Sequence, residues 1–487
     1  MTTRRGGLSV GVIGAGFGGV IAAVKLKKVG IRATVYDKAD VVGGVWKQRY
    51  PGVAVDAPAH LYSFTFKRDY DWSSSHPSAP EVQRYVEETV DQFGLRGQLR
   101  LGHEVRRVTW DDDRHDYELE FADGTTVRHD VVVSAVGLFH TPRHPQWPGM
   151  DDYTGTIVHT AEWPEQLDLT GRTVAVVGTG SSSIQLVPRI ARDVEQLYVF
   201  QREPGWMLPK PYKRYSEAER RHLMRPLGTT IEMAKWYFEH ERLITGIRKP
   251  GPVNEHYRKL AENYIGEMLA DHPEIRQAVT PTYSFGGKRP LRDIREDSFY
   301  TALTRDNVEL VPRAVTELTE KGIVDADGLE RAVDVIVTAT GYRVSDFLLT
   351  LDVRGTGGID IQRVWDGEPR AFLGIMVPRF PNFFMMYGPN TNGGTVSGML
   401  EIEGGFIART LRDMQRTNSR VVEPRPWASE AWDWYVSRLN RKSVLGAARN
   451  AYYFSSTGRI VSEWVNSQTE FLLWSRLGRR IGLEFTP

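Results

Sequence analysis

A chain of 487 residues, 41% hydrophobic and 25% charged, is long enough to bury more than one core and reads as globular. Its 62 basic and 61 acidic residues leave no net field to draw in nucleic acid or an anionic membrane. With no run of 18 apolar residues and no apolar signal core in MTTRRGGLSV, the expectation is a cytoplasmic enzyme acting on a small molecule, with no oligomeric state implied. Cysteine is absent, which removes disulfides, thiolate metal sites and any relay of electrons through a protein dithiol.

The first predicted unit is LSVGVIGAGFGGVIAAVKLKKVGIRATVYDK, an apolar strand, a glycine-rich turn, a helix and a second strand ending at Asp37. This is the pattern of a dinucleotide-binding unit. Gly14 permits the tight turn, Gly16 lets the backbone approach a pyrophosphate at the helix N-terminus, and Gly19 lets helix and strand pack closely. Asp37 stands where an acid holds a ribose hydroxyl. Further on, FADGTTVRHDVVVSAVG reads as a hairpin with an Asp-Gly turn followed by an apolar strand.

The stretch YTGTIVHTAEWP spaces Gly155, His159 and Trp163 four apart without a helical pattern, and reads as an extended, punctuated loop closed by Pro164. The dinucleotide pattern then returns in RTVAVVGTGSSSIQLVPRIARDVEQLYVFQR, with Gly178, Gly180 and Ser183 in the three glycine positions. Its second strand ends at Arg202 rather than an acid, and a guanidinium there suits a ribose 2′-phosphate, hence NADPH rather than NADH. Ser216 and Glu219 stand in capping-box spacing at the start of a helical insertion, where the aromatics Trp236, Tyr237 and Phe238 are expected to be buried packing in preference to the lining of a substrate channel. VDADGLERAVDVIVTATG repeats the hairpin-and-strand pattern, so both nucleotide units close alike. FPNFFMMYGPNTNGG reads as a strand ending in a turn near a cofactor, where Gly393 and Gly394 offer backbone amides or merely the bend.

The fold class expected is therefore α/β, with two Rossmann-like dinucleotide-binding domains, β-meanders and a helical insertion. The expected order is a first domain over 1–140, a second over 141–215, the insertion over 216–275, the second domain again over 276–364 and the first again over 365–487. The paired units resemble flavoproteins built from two dinucleotide-binding domains, which implies one site for FAD and one for NADPH and a hydride that must pass somewhere. Without cysteines the disulfide-reductase outlet is closed, leaving O2, which reduced flavin converts at C4a to a peroxyflavin able to oxygenate a substrate.

Together these segments resemble a type I Baeyer-Villiger monooxygenase over nearly the whole chain. The family fingerprint Phe-x-Gly-x-x-x-His-x-x-x-Trp-Pro or Asp is matched by Tyr153, Gly155, His159, Trp163 and Pro164, with tyrosine replacing phenylalanine. The resemblance implies oxidation of a ketone to an ester or lactone with FAD, NADPH and O2, and a linker in which His159 couples domain movement to catalysis. GGVWKQRYPGVAVDAP resembles the flavin-contacting run, which implies that Gly43, Gly44 and Trp46 meet the cofactor and Asp56 is the active-site aspartate. FGGKRP implies that Lys288 approaches the NADPH 2′-phosphate and that Arg289 lies beside flavin and nicotinamide. A fixed guanidinium there would stabilise the anions of carbonyl oxidation, with Asp56 orienting it. Two positions depart from the family: Glu203 follows Arg202 where threonine or serine is common, and Tyr452 stands where many relatives carry tryptophan. Three alternatives stay open at this point: oxidation of nitrogen or sulfur, an NADPH oxidase, and a noncatalytic nucleotide sensor.

Overall fold

In a computed structural model of the protein, which describes residues 7–47, 50–447 and 451–487, the chain enters as strand β1 (Val10–Ile13) and turns into helix α1 (Phe17–Lys27). It returns as β2 (Ala33–Asp37), crosses through α2 (Ala79–Gln92) and adds β3 (Leu99–Leu101). The antiparallel strands β4 (Val105–Asp111), β5 (Asp116–Phe121) and β6 (Thr126–His129) then lead into β7 (Val131–Ser134). Every residue of β1 and β7 is buried, as short apolar runs must be when both faces of a parallel sheet are covered.

The second unit begins with β8 (Thr156–His159), β9 (Thr173–Val177), α3 (Ser181–Ile190), β10 (Gln196–Phe200) and β11 (Met207–Pro209). Four helices follow: α4 (Glu217–Leu223), α5 (Pro226–Ile247), α6 (Pro252–Met268) and α7 (Pro273–Val279). The Ser216–Glu219 capping box opens the first of them, as the spacing predicts. The chain continues through β12 (Leu291–Asp293), β13 (Val308–Val311), the meander β14 (Val315–Leu318), β15 (Gly322–Asp325) and β16 (Glu330–Ala332), then β17 (Val335–Thr338). Strands β18 (Asp352–Arg354) and β19 (Phe383–Met385) and helices α8 (Val396–Thr417), α9 (Pro426–Arg441) and α10 (Gln468–Ile481) complete it.

Two parallel five-stranded sheets result, ordered β19-β7-β1-β2-β3 and β8-β17-β9-β10-β13. The orders superpose strand for strand. The fingerprint strand β8 therefore holds in the second sheet the edge position that β19 holds in the first. This corrects the reading of YTGTIVHTAEWP as a loop: its first half pairs with β17 in register, Thr156 with Val335 through His159 with Thr338. A four-residue strand bounded by Gly155 and a short 3-10 turn leaves too brief a β pattern to stand out in sequence.

Two further expectations are corrected. Strand β18 pairs with β4 of the first meander, so the chain is back in the first domain by Asp352 and not only at 365. Of the aromatic trio expected to be packed, Phe238 is 71% exposed and Trp236 lines an open cavity of about 480 Å³ with Tyr215 and Glu232. Tyr237 is half-buried, sharing a 2.6 Å hydrogen bond with Thr469. Helix α5 lies on the outside of the molecule, so its aromatics lack a second layer to bury them. No described helix is long and apolar enough to cross a membrane.

Candidate active site

At the carboxyl ends of the first sheet, the Gly14 amide donates to Tyr36 O at 2.7 Å, and its φ of 108° lies in the region that favours glycine. A side chain on Gly14 would also strike the carbonyl of Ala135, and one on Gly19 would strike the carbonyl of Gly14. Gly16 caps α1, with the Gly43–Gly44 run folded over it. The Gly43 amide donates to Ala15 O at 3.1 Å, and a Cβ on Gly44 would lie 3.1 Å from Gly16 Cα. Two glycine backbones thus approach where a side chain on either would close the space. Asp37, ending β2, accepts from the amides of Ala15 at 2.6 Å and Ala39 at 2.8 Å, leaving carboxylate lone pairs for a ribose diol. Trp46 packs against the cores of both domains and edge-on to Tyr62. Gln48 and Arg49 of the same segment lie outside the described residues. These features fit FAD.

The second sheet repeats the turn. Gly178 has the same φ of 108° and donates to Phe200 O at 2.9 Å. Gly180 caps α3, and a Cβ placed there would meet nothing within 4 Å, so the helix N-terminus opens onto free space of the kind a pyrophosphate needs. Ser183 replaces the third glycine fully buried, its hydroxyl without a partner. Arg202 is exposed and makes no ion pair with any described residue. Lys288 is differently engaged: its ammonium forms an ion pair with Glu203 and lies 5.3 Å from the Tyr283 ring centre. The departure noted at Glu203 is therefore a carboxylate sitting on the lysine expected at the 2′-phosphate. The open turn and the free guanidinium fit NADP(H).

Between the two units, Asp56 and Arg289 come together from positions 233 residues apart, with Arg289 Nη2 donating to Asp56 Oδ2 at 2.7 Å. Asp56 is held on its other oxygen by Lys210 Nζ at 3.3 Å and Gln185 Nε2 at 3.3 Å. Burial would raise the Asp56 carboxyl, but Lys210 and then Arg289 outweigh it and hold it below the usual carboxylate range. The Arg289 side chain is 48% accessible, yet burial acts on its charge more than any other influence and Asp56 is what restores it.

Elsewhere in the junction Glu463 is buried against Arg248, and Asn392 of the NTNGG turn donates to it while accepting from the Tyr387 hydroxyl at 2.7 Å. Tyr452 lies within electrostatic reach of Arg289 and Glu463, its hydroxyl pushed up to about 12 by burial. Its neighbour Asn450 lies outside the described residues. Gly393 packs against Trp464, and Gly394 takes a φ of 59° just before α8.

In the fingerprint, Tyr153 is buried and donates to Val333 O at 2.9 Å, while Gly155 leaves room for the Tyr153 ring and the carbonyl of Asp334. His159 closes β8, buried, accepting from the Ala161 amide at 3.0 Å with Nε2 unpartnered. Its ring lies edge-on to Tyr342, just after β17. Burial and His144 lower its pKa, so it is neutral at pH 7. Trp163 packs half-buried against the second core. His159 stands at the carboxyl end of a parallel sheet, where open α/β folds place their ligands, but away from the Asp56–Arg289 contacts. Sequence reasoning missed Lys210, Gln185 and the Arg248–Glu463 pair. The first carried a signal: a lysine between two prolines in the apolar run WMLPKPY is costly to bury without a carboxylate partner.

Two nucleotide-binding units, a charged pair between them and no cysteine define the class as a flavoprotein oxidoreductase that works without a protein dithiol. The family model described as "Pyridine nucleotide-disulphide oxidoreductase" matches residues 12–218. A Baeyer-Villiger monooxygenase of Streptomyces coelicolor is 35% identical over 97% of this chain and 91% of its own length. One of Pseudomonas aeruginosa is 33% identical over 93% and 87%. Among solved structures, cyclohexanone monooxygenase from Rhodococcus sp. Phi1 bound to NADP+ superposes with a TM-score of 0.87 at 28% identity, covering 98% of this chain and 99% of that one. Oxidised steroid monooxygenase bound to NADP superposes at 0.86 and 27% identity, covering 99% and 100%. The chain belongs to the Baeyer-Villiger monooxygenase family.

Proposed function

We propose that this enzyme converts a ketone to an ester or lactone with NADPH and O2, one oxygen atom entering beside the carbonyl and the other leaving as water. The observation that supports the residue roles is the 2.7 Å Arg289–Asp56 contact, which joins segments from the two nucleotide-binding units. Bound FAD, reduced by NADPH, supplies the activated oxygen. Gly14, Gly16, Gly19, Asp37, Gly43, Gly44 and Trp46 would hold it, and Gly178, Gly180, Ser183, Arg202 and Lys288 would hold NADPH.

Arg289 is a permanent cation placed to stabilise the oxyanion that forms when a carbonyl is attacked, and enclosure strengthens it. Asp56 positions that guanidinium, and Lys210 with Gln185 fixes the carboxylate from the far side. His159, on the edge strand, ties the second sheet to the segment entering it and acts on domain placement rather than on substrate. Tyr452 borders the substrate space.

The test is mass spectrometry of products from a panel of cyclic, aryl and aliphatic ketones with NADPH under 18O2, with peroxide measured in parallel. One 18O atom per ester is expected. Sulfoxide from matched sulfides with no ester, or quantitative peroxide with every ketone, would overturn the reading. Failure of NADPH to bleach the flavin would leave a nucleotide sensor in its place.

A further inference from the structure

The junction carries more positive charge than its carboxylate balances. Asp56 faces Lys210 and Arg289 directly, and it also feels the charge of Arg292. The strand register places that third cation. Leu208 of β11 pairs with Arg292 of β12, so Arg292 shares a face with Leu208 and, two residues on, with Lys210. Asp293 turns the other way, into a buried contact with Tyr264 and Ser298, and Leu291 lies beneath Gly205. Arg292 therefore belongs to the Asp56 side of the strand pair.

Arg292 makes no hydrogen bond or ion pair with any described residue, and the residues outside that description, MTTRRG, QR and ARN, contain no aspartate or glutamate. The carboxylate that Arg292 does feel, Asp56, is already engaged by Lys210 and Arg289. The His240 ring, which meets the Gly394 backbone, senses Arg292, Arg248 and Arg289, and its buried Nε2 has no partner among the described residues. Burial first, then these arginines, pushes His240 down to about 4, which reports a positive potential in the same space. An enclosed charge without a counter-ion is strongly penalised, so a site of this kind is completed by an anion.

We propose that Arg292 binds a carboxylate carried by the ketone, so that the substrates are keto acids rather than uncharged ketones. This rests on the ketone-oxidising reading above and adds the substrate class. A planar guanidinium fork matches a carboxylate with two parallel hydrogen bonds.

The experiment uses methyl-ketone carboxylates with two to eight methylenes between ketone and carboxylate, each beside its own methyl ester. Oxygenated product is measured as kcat/KM with the FAD-loaded enzyme. At the best chain length the acid should be preferred over its methyl ester by at least about 10-fold. Arg292→Met should collapse that ratio through the KM of the acid, and Arg292→Lys should restore part of it. FAD content and flavin bleaching by NADPH show that each variant is folded. Equal rates on acid and methyl ester at every length in the wild type would overturn the proposal while leaving ketone oxidation intact. So would an Arg292→Met variant whose KM rises as much for NADPH as for the acid. If neither these compounds nor neutral ketones yield an oxygenated product, the ketone-oxidising reading falls first.

Discussion

The two nucleotide-binding units share one turn and part company where that turn meets the ribose. Gly14 and Gly178 have the same φ, donate to the end of the neighbouring strand in the same way, and face the matching carbonyls of Ala135 and Ala339. The third position differs: Gly19 lies against its own turn, whereas Ser183 is accommodated with its hydroxyl unpaired. At the end of the second strand Asp37 ties back to Ala15, while Arg202 makes no ion pair with any described residue. Backbone geometry is thus fixed by the phosphate-binding turn common to both, and the identity of the nucleotide is left to one or two side chains beyond it.

The largest break in that comparison comes from substituting the turn itself. Gly14→Val should yield protein without FAD, because the side chain is strained at positive φ and meets the Ala135 carbonyl. Gly178→Val should keep its yellow colour but lose bleaching by NADPH, slowed by about 100-fold or more. Flavin absorbance before and after NADPH separates the two, and loss of FAD from both variants would contradict the assignment of one cofactor to each unit. Next in size, Arg202→Ala should raise the KM for NADPH by about 10-fold or more with little change for NADH. Equal rises would mean that Arg202 does not touch the extra phosphate.

A smaller effect should come from Glu203→Thr, which releases Lys288 and should increase the preference for NADPH over NADH by roughly 3- to 10-fold, read from steady-state kinetics with both cofactors. An unchanged ratio would show that the Lys288–Glu203 pair opens at no cost when the cofactor binds. The smallest is Ser183→Ala. Removing a buried, unpaired hydroxyl worth about 1 kcal/mol should raise Tm by roughly 2 °C without altering flavin content, as calorimetry would show.

What could be read from the sequence was what is local in the chain. The glycine turns, Asp37, the Asp-Gly hairpins and the Ser216 capping box each depend on residues close together, and each pattern has a single physical use. The rest depends on distant partners. Strand β8 is four residues long and becomes a strand only by pairing with β17, more than a third of the chain away. Lys288 reads as a phosphate ligand until Glu203, 85 residues earlier, is seen on it. Asp56 and Arg289 could be named through family resemblance, and Lys210 is hinted at by its place between two prolines, but Gln185 and Arg292 emerge only when β11, β12 and α3 are brought to one place. The aromatic trio misled because composition says nothing of whether a second layer covers a helix.

In the proposed mechanism the guanidinium of Arg289, oriented by Asp56, stabilises the oxyanion. The most direct measurement is ester formation by Arg289→Ala with the best wild-type ketone, alongside its FAD content and the rate at which NADPH reduces its flavin. The predicted result is bound FAD with ester output reduced by about 10²-fold or more. Lactone or ester formed at the wild-type rate by that variant would contradict it.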